Sequence, residues 1–349
     1  MFFKSKKVVG LDIGTSSIKM AEVEIVGKGA KLLSFGFAPT PAGCLSNGAI
    51  TNSMAISSSI QTLAAEIKTK RKLTSVGMWG TSVIIKKITI PKVEKKVLAE
   101  QIRFEAEQYI PFDISEIKLG HHVLPSSSPD SMDVLLIAAQ NEILTQYAAA
   151  ISGAGMESSV VDVSGFALAN CFELNYGKRR DETIALLNIG AGVTNFVVLH
   201  SGEVIFCRDI AVGGMSYTNE VHKEMGISVP EAEALKMSAI QGDAVPDEVH
   251  KIMRATTDAI SDELRSGFDF FSQSSSGLSI QSAFYAGGGS GMPTLIKIVG
   301  EKTNIRFEQL NPFLRVSSNL KNNSRQGMQQ IAPFAPVVIG LALRSMGDS

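Results

Sequence analysis

Three short stretches of this sequence carry residue types suited to holding an anion. The first is Gly14-Thr15-Ser16-Ser17, preceded by Asp12 and followed by Lys19. A phosphate tail needs backbone N–H donors that approach closely, hydroxyls that donate, and no bulky side chain in the way. Glycine, threonine and serine supply all three. Asp12 stands at the end of an apolar run, where a carboxylate can hold a hydrated Mg2+ ion, and Lys19 adds a point charge. The second stretch is Gly190-Ala191-Gly192-Val193-Thr194, with Asn188 where the first copy has its acid. An amide still accepts a hydrogen bond from metal-bound water, but it brings no charge. The third is Gly287-Gly288-Gly289-Ser290-Gly291, between a strand pattern and a helical one. So many glycines together are costly in chain entropy, and the usual reason is backbone lying flat against a ligand at a helix N-terminus. No GxxxxGKS or GxxxxGKT is present, which excludes a P-loop.

The elements that must carry these loops form a pattern that occurs twice. Lys7 to Leu11 reads as a buried strand, Asp12 to Ser17 as a turn, Ile18 to Val26 and Lys31 to Phe37 as strands joined at Gly27. Later, Ile184 to Leu187, Asn195 to Leu199 and Glu203 to Arg208 repeat the meander, with a turn at Gly202. Leu11-Asp12-Ile13-Gly14 aligns with Leu187-Asn188-Ile189-Gly190, which points to two halves of one ancestral topology. Between them lies a β-α-β-β-α block. It comprises a strand Ser82 to Ile90, a helix Val93 to Ile110 with the stripe Leu98, Ile102, Ala106 and Tyr109, strands Ile117 to Leu124 and Asp133 to Ala139 around the polar loop Pro125 to Asp130, and a helix Glu142 to Ala154. This block reads as an inserted subdomain. Helices are expected over Ser216 to Met225, from Pro230 through Lys236, over Val249 to Phe271 and over Met292 to Thr303, with a strand over Ser282 to Ala286. Ser317 to Gln330 reads as an exposed, mobile polar loop.

Composition removes several function classes. The 349 residues are 44% hydrophobic and 19% charged, with a formal net charge of −1, so no global basic field attracts DNA, RNA or an anionic bilayer. Cys44, Cys171 and Cys207 stand far apart and form no CxxC pair, and the five histidines show no metal-ligand spacing. Lys68 to Lys72 is basic and reads as a solvated helix end rather than a nucleic-acid site. The opening residues do not form a signal peptide. The apolar stretch Ile331 to Leu343 contains two prolines and falls short of the roughly 20 residues of a membrane span. A cytoplasmic protein is expected, reaching the membrane only through a partner.

In this order the loops resemble those of the actin-like nucleotide-binding superfamily. Val9 to Lys19 is similar to its first phosphate motif, Leu187 to Asn195 to its second, and Tyr285 to Gly291 to its adenosine motif. Glu231 to Lys236 resembles the helix that members lay along the ribose and base, which adds Glu233 and Lys236 to the candidates; a plain amphipathic surface helix is the other reading. Within the superfamily the chain resembles, over nearly its whole length, the PilM family of type IV pilus assembly proteins, relatives of the division protein FtsA. Met1 to Lys19, Ala99 to Phe112 and Val161 to Leu168 are its most specific parts.

The resemblance implies an α/β, two-lobed actin-like (ribonuclease H-like) fold with an inserted FtsA-type 1C subdomain. Residues 1–81 and 161–183 would form subdomain 1A, 82–160 subdomain 1C, 184–330 the second lobe (2A/2B), and 331–349 a C-terminal helix returning to 1A. It implies bound ATP and Mg2+, the metal near Asp12 and Asn188. It also implies a cytoplasmic adaptor that binds the N-terminal cytoplasmic tail of the inner-membrane protein PilN in a groove between 1A and 1C. Leu98, Ile102 and Tyr109 would lie near that groove, and the adaptor would connect to the pilus motor ATPases. Two departures weaken hydrolysis. Asn188 replaces an acid, and the helix from Ser164 lacks the acid that orients attacking water, with Asp162 close enough in sequence to substitute. ATP binding with weak or no turnover is therefore expected. An FtsA-like division protein remains an alternative, although the chain stops at Ser349 without the basic amphipathic helix of such proteins. A small-molecule kinase of the superfamily is the other; it lacks a convincing general base here.

Overall fold

The computed structural model describes residues 7–345 except 126–128, 276, 293 and 319–324. The opening Met1 to Lys6, the centre of the Pro125 to Asp130 loop, part of Ser317 to Gln330 and the final residues 346–349 therefore lie outside the described residues.

The chain begins with strands β1 (Val9–Ile13), β2 (Ser17–Val26) and β3 (Gly29–Pro39), then a short ribbon of β4 (Leu45–Ser46) and β5 (Ala49–Ile50). Helix α1 (Ser53–Glu66) follows, its first turn capped by the Asn52 side chain, which accepts from the Ala55 N–H at 3.1 Å. Strand β6 (Leu73–Met78) leads into the block β7 (Val83–Pro91), α2 (Lys95–Tyr109), β8 (Ile117–Val123), β9 (Ser131–Gln140) and α3 (Asn141–Gly153). Strand β10 (Glu157–Val163) and helix α4 (Ser164–Tyr176) come next. Then follow β11 (Thr183–Ile189), β12 (Thr194–His200), β13 (Glu203–Ile210) and helices α5 (Gly214–Met225), α6 (Val229–Gln241) and α7 (Asp247–Ser274). The remainder is β14 (Ser282–Ala286), α8 (Leu295–Thr303), β15 (Phe307–Gln309), β16 (Val316–Ser318), α9 (Arg325–Ile331) and α10 (Pro336–Ala342).

Two large sheets carry the same topology. The first runs β10-β6-β1-β2-β3-β16 and the second β13-β12-β11-β14-β15. In each, an antiparallel meander of three strands is extended by two parallel strands on the far side of its first strand. The repeat read in the sequence is therefore a repeat of architecture. The first sheet is covered on both faces, which is why β1 is buried throughout, with Asp12 its one charged residue. Helices α1 and α3 cover one face, through Ile56, Ile60, Leu63, Tyr147 and Ile151. Helices α4 and α10 cover the other, and their fit is close: a Cβ on Gly340 would lie 1.7 Å from the Ala167 carbonyl oxygen, and one on Gly10 would lie 2.3 Å from that of Val338. Such contact requires glycine.

The small sheet β7-β9-β8 is closed by α2. Leu98, Ile102 and Ala106 of the expected stripe are buried against Ile88, Ile90, Val134 and Leu136, so they are core. Tyr109 is partly exposed, and the Lys86 ammonium sits 4.8 Å over its ring.

The structure differs from the sequence reading in several places. Strand β1 extends two residues further, because Asp12 and Ile13 pair with Lys19 and Ile18, whereas Lys7 makes only an isolated bridge with Ser345. Helix α6 starts earlier, at a capping box in which Ser228 and Glu231 bond each other's backbone N–H. The helix expected from Met292 begins at Leu295, after a 3-10 turn over Gly288–Gly291. The described parts of the expected Ser317 to Gln330 loop are the end of strand β16, paired with β3, and helix α9. In the basic stretch, Arg71 lies 3.3 Å from Glu22 and donates to the Val8 and Val23 carbonyls, fastening the first sheet.

Candidate functional site

Each lobe offers the same turn at the same place. The Gly14 N–H donates to the Ser17 carbonyl at 3.1 Å, and the Gly190 N–H donates to the Val193 carbonyl at 2.9 Å. Thr40 clamps the first turn: its hydroxyl donates to the Gly14 carbonyl at 2.6 Å and its N–H to the Ser16 carbonyl at 3.0 Å. The second turn is held by α5, whose Gly214 and Met215 N–H groups donate to the Gly190 and Ala191 carbonyls at 2.9 and 2.8 Å. These bonds spend the turn's oxygens and leave the N–H groups of Ala191 to Val193 outside them. The third loop is set by Gly287, at φ +90°, where a Cβ would lie 2.2 Å from the Ile189 carbonyl oxygen. Its N–H donates to the Pro333 carbonyl at 2.8 Å, and the Ser290 hydroxyl donates back to the Gly287 carbonyl at 2.7 Å.

All three loops open on one cleft of about 690 Å³. Gly14, Thr15, Ser16, Ser17 and Lys19 line it from the first lobe, Gly190, Ala191, Gly192 and Val193 from the second. Glu233 and Lys236 of α6, Gly287, Gly288 and Gly289, and both Asp12 and Asn188 line it as well. Thr194 and Ser290 do not. Thr194 is buried behind its turn with its hydroxyl donating to the Val212 carbonyl at 2.9 Å, and Ser290 ties its own loop. The two lobes touch at the mouth: a Cβ on Gly192 would lie 2.7 Å from the Thr15 hydroxyl oxygen.

The charges around the cleft are paired. Lys19 donates to Asp12 at 2.9 Å, and their side chains are only 13% and 12% exposed. Lys236, 7% exposed, donates to Glu233 at 2.6 Å and to the Thr218 hydroxyl at 3.0 Å. On the second lobe the Asn188 amide donates to the Asn195 oxygen at 2.9 Å, and the Asn195 amide donates to Asp209 at 2.7 Å. The other Asp209 oxygen accepts the Gly80 N–H from the first lobe. Desolvation between the lobes lifts the Asp209 carboxyl above its ordinary range; Asn195 and the Gly80 N–H pull it only part of the way back. Among the described residues no three His, Cys, Asp or Glu side chains form a metal-binding group. Asp162 does not line the cleft. Its carboxylate lies 3.2 Å from Arg344 and accepts the Val163 N–H at 2.8 Å, so it is not placed to substitute for the missing water-orienting acid. The cysteines are all buried, and burial pushes the Cys171 and Cys207 thiols up.

The sequence reading missed Thr40, Trp79, Gly214, Thr218 and Phe334, which also line the cleft. Trp79, the sole tryptophan, donates from its indole to the Ile13 carbonyl at 2.9 Å. A Cβ on Gly288 would lie 2.7 Å from the Phe334 ring, which stacks on Phe37 with centroids 6.5 Å apart. A tryptophan at a strand end and the Gly213-Gly214 pair before a helix were the available signals.

A second, larger space of about 1430 Å³ lies between β7, the Leu45 to Asn47 ribbon, β13 and the end of α7. Thr15, Trp79, Ala191, Gly192, Val193 and Met215 line both spaces, so the two are neighbours across a thin wall. Among the described residues no helix is long and apolar enough to cross a membrane.

Comparison with known proteins agrees with this fold. A chain of a solved "PilM-PilN type IV pilus biogenesis complex" superposes with a TM-score of 0.89 at 27% identity, covering 99% of this chain and 100% of that one. The ethanolamine utilization protein EutJ from Carboxydothermus hydrogenoformans shares the fold, with a TM-score of 0.55 at 13% identity over 98% of this chain and 90% of its own. The cell division protein FtsA of Bacillus subtilis (strain 168) is 22% identical over 279 residues, 70% of this chain. The match spans 61% of that relative's length, less than two-thirds. The sequence pattern of the family described as "Type IV pilus assembly protein PilM" matches residues 10–346. The chain belongs to that family and has its actin-like fold.

Proposed function

We propose that the cleft binds ATP with Mg2+ and that the protein is a nucleotide-loaded adaptor of type IV pilus assembly. The observation that carries this reading is the convergence of the Gly14, Gly190 and Gly287 loops, from both lobes, on one cleft. The Ala191 to Val193 N–H groups would cradle phosphate oxygens, as would the Thr15 to Ser17 turn opposite. Gly287 to Gly289 would lie flat against the adenosine, with Glu233 and Lys236 beside the ribose. Asp12 and Asn188 fit a hydrated Mg2+, which keeps most of its waters and takes few protein ligands, so a single carboxylate suffices beside phosphates. The ion would neutralise charge on the phosphate tail. An amide at 188 and the engagement of Asp162 by Arg344 take away both positions that the sequence offered for a water-orienting acid, which supports binding with weak or absent hydrolysis.

The partner in this reading is the N-terminal cytoplasmic tail of an inner-membrane PilN-like protein. That tail would occupy the groove between the first lobe and the small sheet, linking the membrane platform to the pilus motor ATPases. The protein would thus sit at the inner face of the inner membrane through its partner, with no nucleic acid involved. In the same reading residues 1–81 and 161–183, closed by 331–349, form subdomain 1A, residues 82–160 form 1C, and 184–330 form 2A/2B. Two measurements test the proposal. Calorimetric titration with magnesium ATP should give a saturable signal, and a synthetic tail peptide should be retained by the immobilised protein. No heat of binding would sink the nucleotide reading. Turnover of several ATP per second would sink the adaptor reading in favour of an enzyme.

A further inference from the structure

Asn188, Asn195 and Asp209 stand in one row across the second sheet, on β11, β12 and β13. Their side chains form a chain of hydrogen bonds: Asn188 to Asn195 at 2.9 Å and Asn195 to Asp209 at 2.7 Å. A pair of amides alone has no preferred direction, since either can present oxygen to the other. Asp209 removes the ambiguity. A carboxylate only accepts, so Asn195 must turn its nitrogen toward Asp209 and its oxygen toward Asn188. Asn188 must then use its nitrogen on Asn195, which leaves its oxygen as the atom presented to the cleft it lines. The far Asp209 oxygen is fixed by the Gly80 N–H of the other lobe. Among the described residues no cation pairs with Asp209, although its surroundings are largely desolvated; two hydrogen-bond donors satisfy it instead. An acid held without a countercharge is a cost that packing alone does not require.

We propose that Asp209 is a positioning residue that turns the Asn188 oxygen into the cleft, making that place selective for a hydrated divalent cation. The proposal rests on the reading of the cleft as a magnesium nucleotide site. Asp209→Asn should reverse the row. The new amide keeps the Gly80 N–H on its oxygen, so its nitrogen faces Asn195, Asn195 turns over, and Asn188 presents nitrogen to the cleft. A donor there repels a metal's water hydrogens and attracts phosphate oxygen. The double variant Asn188→Asp with Asp209→Asn is a consistent row of the opposite hand. The amide at 209 donates to Asn195, Asn195 donates to the carboxylate at 188, and an acceptor faces the cleft again.

The test is ATP affinity measured by titration calorimetry in excess EDTA and again in saturating Mg2+, with folding checked by circular dichroism. The ratio of the two affinities is the readout. In Asp209→Asn it should fall about tenfold, the worth of one charge-assisted hydrogen bond, while affinity in EDTA holds or rises. Asn195→Leu, which breaks the row differently, should lower the ratio similarly and serves if the first variant does not fold. The double variant should regain most of the ratio. An unchanged ratio in Asp209→Asn and Asn195→Leu, or a double variant no better than the single, would overturn the proposal while leaving nucleotide binding intact. Absence of ATP binding in the parent protein in both buffers would instead remove the underlying reading, and this proposal with it.

Discussion

The two lobes have one topology but fill equivalent positions differently. In the first, Asp12 faces Lys19 across the turn and the two neutralise each other within the lobe. In the second, the same positions are Asn188 and Asn195, and a third residue, Asp209, accepts from Asn195. The first lobe has Phe37 in the place of Asp209, stacked on Phe334. The ends of β6 and β14 differ as well. Trp79 brings its indole onto the Ile13 carbonyl, while Gly287 brings bare backbone against the equivalent Ile189 carbonyl. One lobe completes its own polar contacts and closes the space with side chain. The other sets two amides where the first has an ion pair, uses glycine, and leaves that space open. The two lobes thus share a frame and differ in what fills it.

The comparison can be broken first at its glycine. Gly287→Ala forces a Cβ into the left-handed region and against the Ile189 backbone. A loss of about 3 kcal/mol in urea unfolding is expected, with loss of nucleotide binding. If the protein tolerates it, the glycine is not holding the second lobe open. A smaller effect separates the cross-strand pairs. Asp12→Ala leaves Lys19 enclosed without its carboxylate and should cost about 2 kcal/mol, whereas Asn188→Ala gives up one neutral bond and should cost about 1 kcal/mol or less. Equal losses would show that the charged pair is not what binds the first lobe's turn. Trp79→Phe should cost about 1 kcal/mol in urea unfolding by leaving the Ile13 carbonyl without the indole donor. The smallest effect concerns pH. Burial raises the Asp209 carboxyl above the unfolded value, so the native state binds more protons across the window between the two values. Its contribution to stability is complete below that window and is lost as pH rises through it. Asp209→Asn removes this loss, so denaturant midpoints should show the variant gaining on the parent from acid toward neutral pH. A constant difference across that range would contradict it.

What the sequence disclosed was local. Asp12 to Ser17, Asn188 to Thr194 and Gly287 to Ser290 announce themselves because each packs its small residues and its polar groups within one turn. The repeat was visible because Leu11 to Gly14 and Leu187 to Gly190 share a register that the strands enforce. The rest of the site arrives from far along the chain. Thr40 clamps Gly14 from the end of β3, Phe334 meets Gly288, and Asp209 reaches Asn188 only through two strand pairings. A single acid in an otherwise apolar strand gives no hint of which neighbour it will face. Polar composition also misled: Ser317 and Ser318 lie in the stretch read as a loop, yet they pair with β3, because tertiary pairing overrides local preference. Asp162 shows the converse, since nearness in sequence to the start of α4 did not prevent Arg344 from claiming it.

The placing of α10 sets an order on how the molecule is made. Strands β1 to β3 leave the ribosome early, yet one face of their sheet stays bare until α10 is synthesised, and their edge stays unpaired until β16 arrives. At ordinary translation speeds that delay is roughly 15–60 s. The half of the protein born first is therefore finished last. During that wait Ala21, Val23, Ala30 and Leu32 lie open to whatever apolar surface the cell brings near, so the nascent chain should draw chaperones to its older half rather than its younger one.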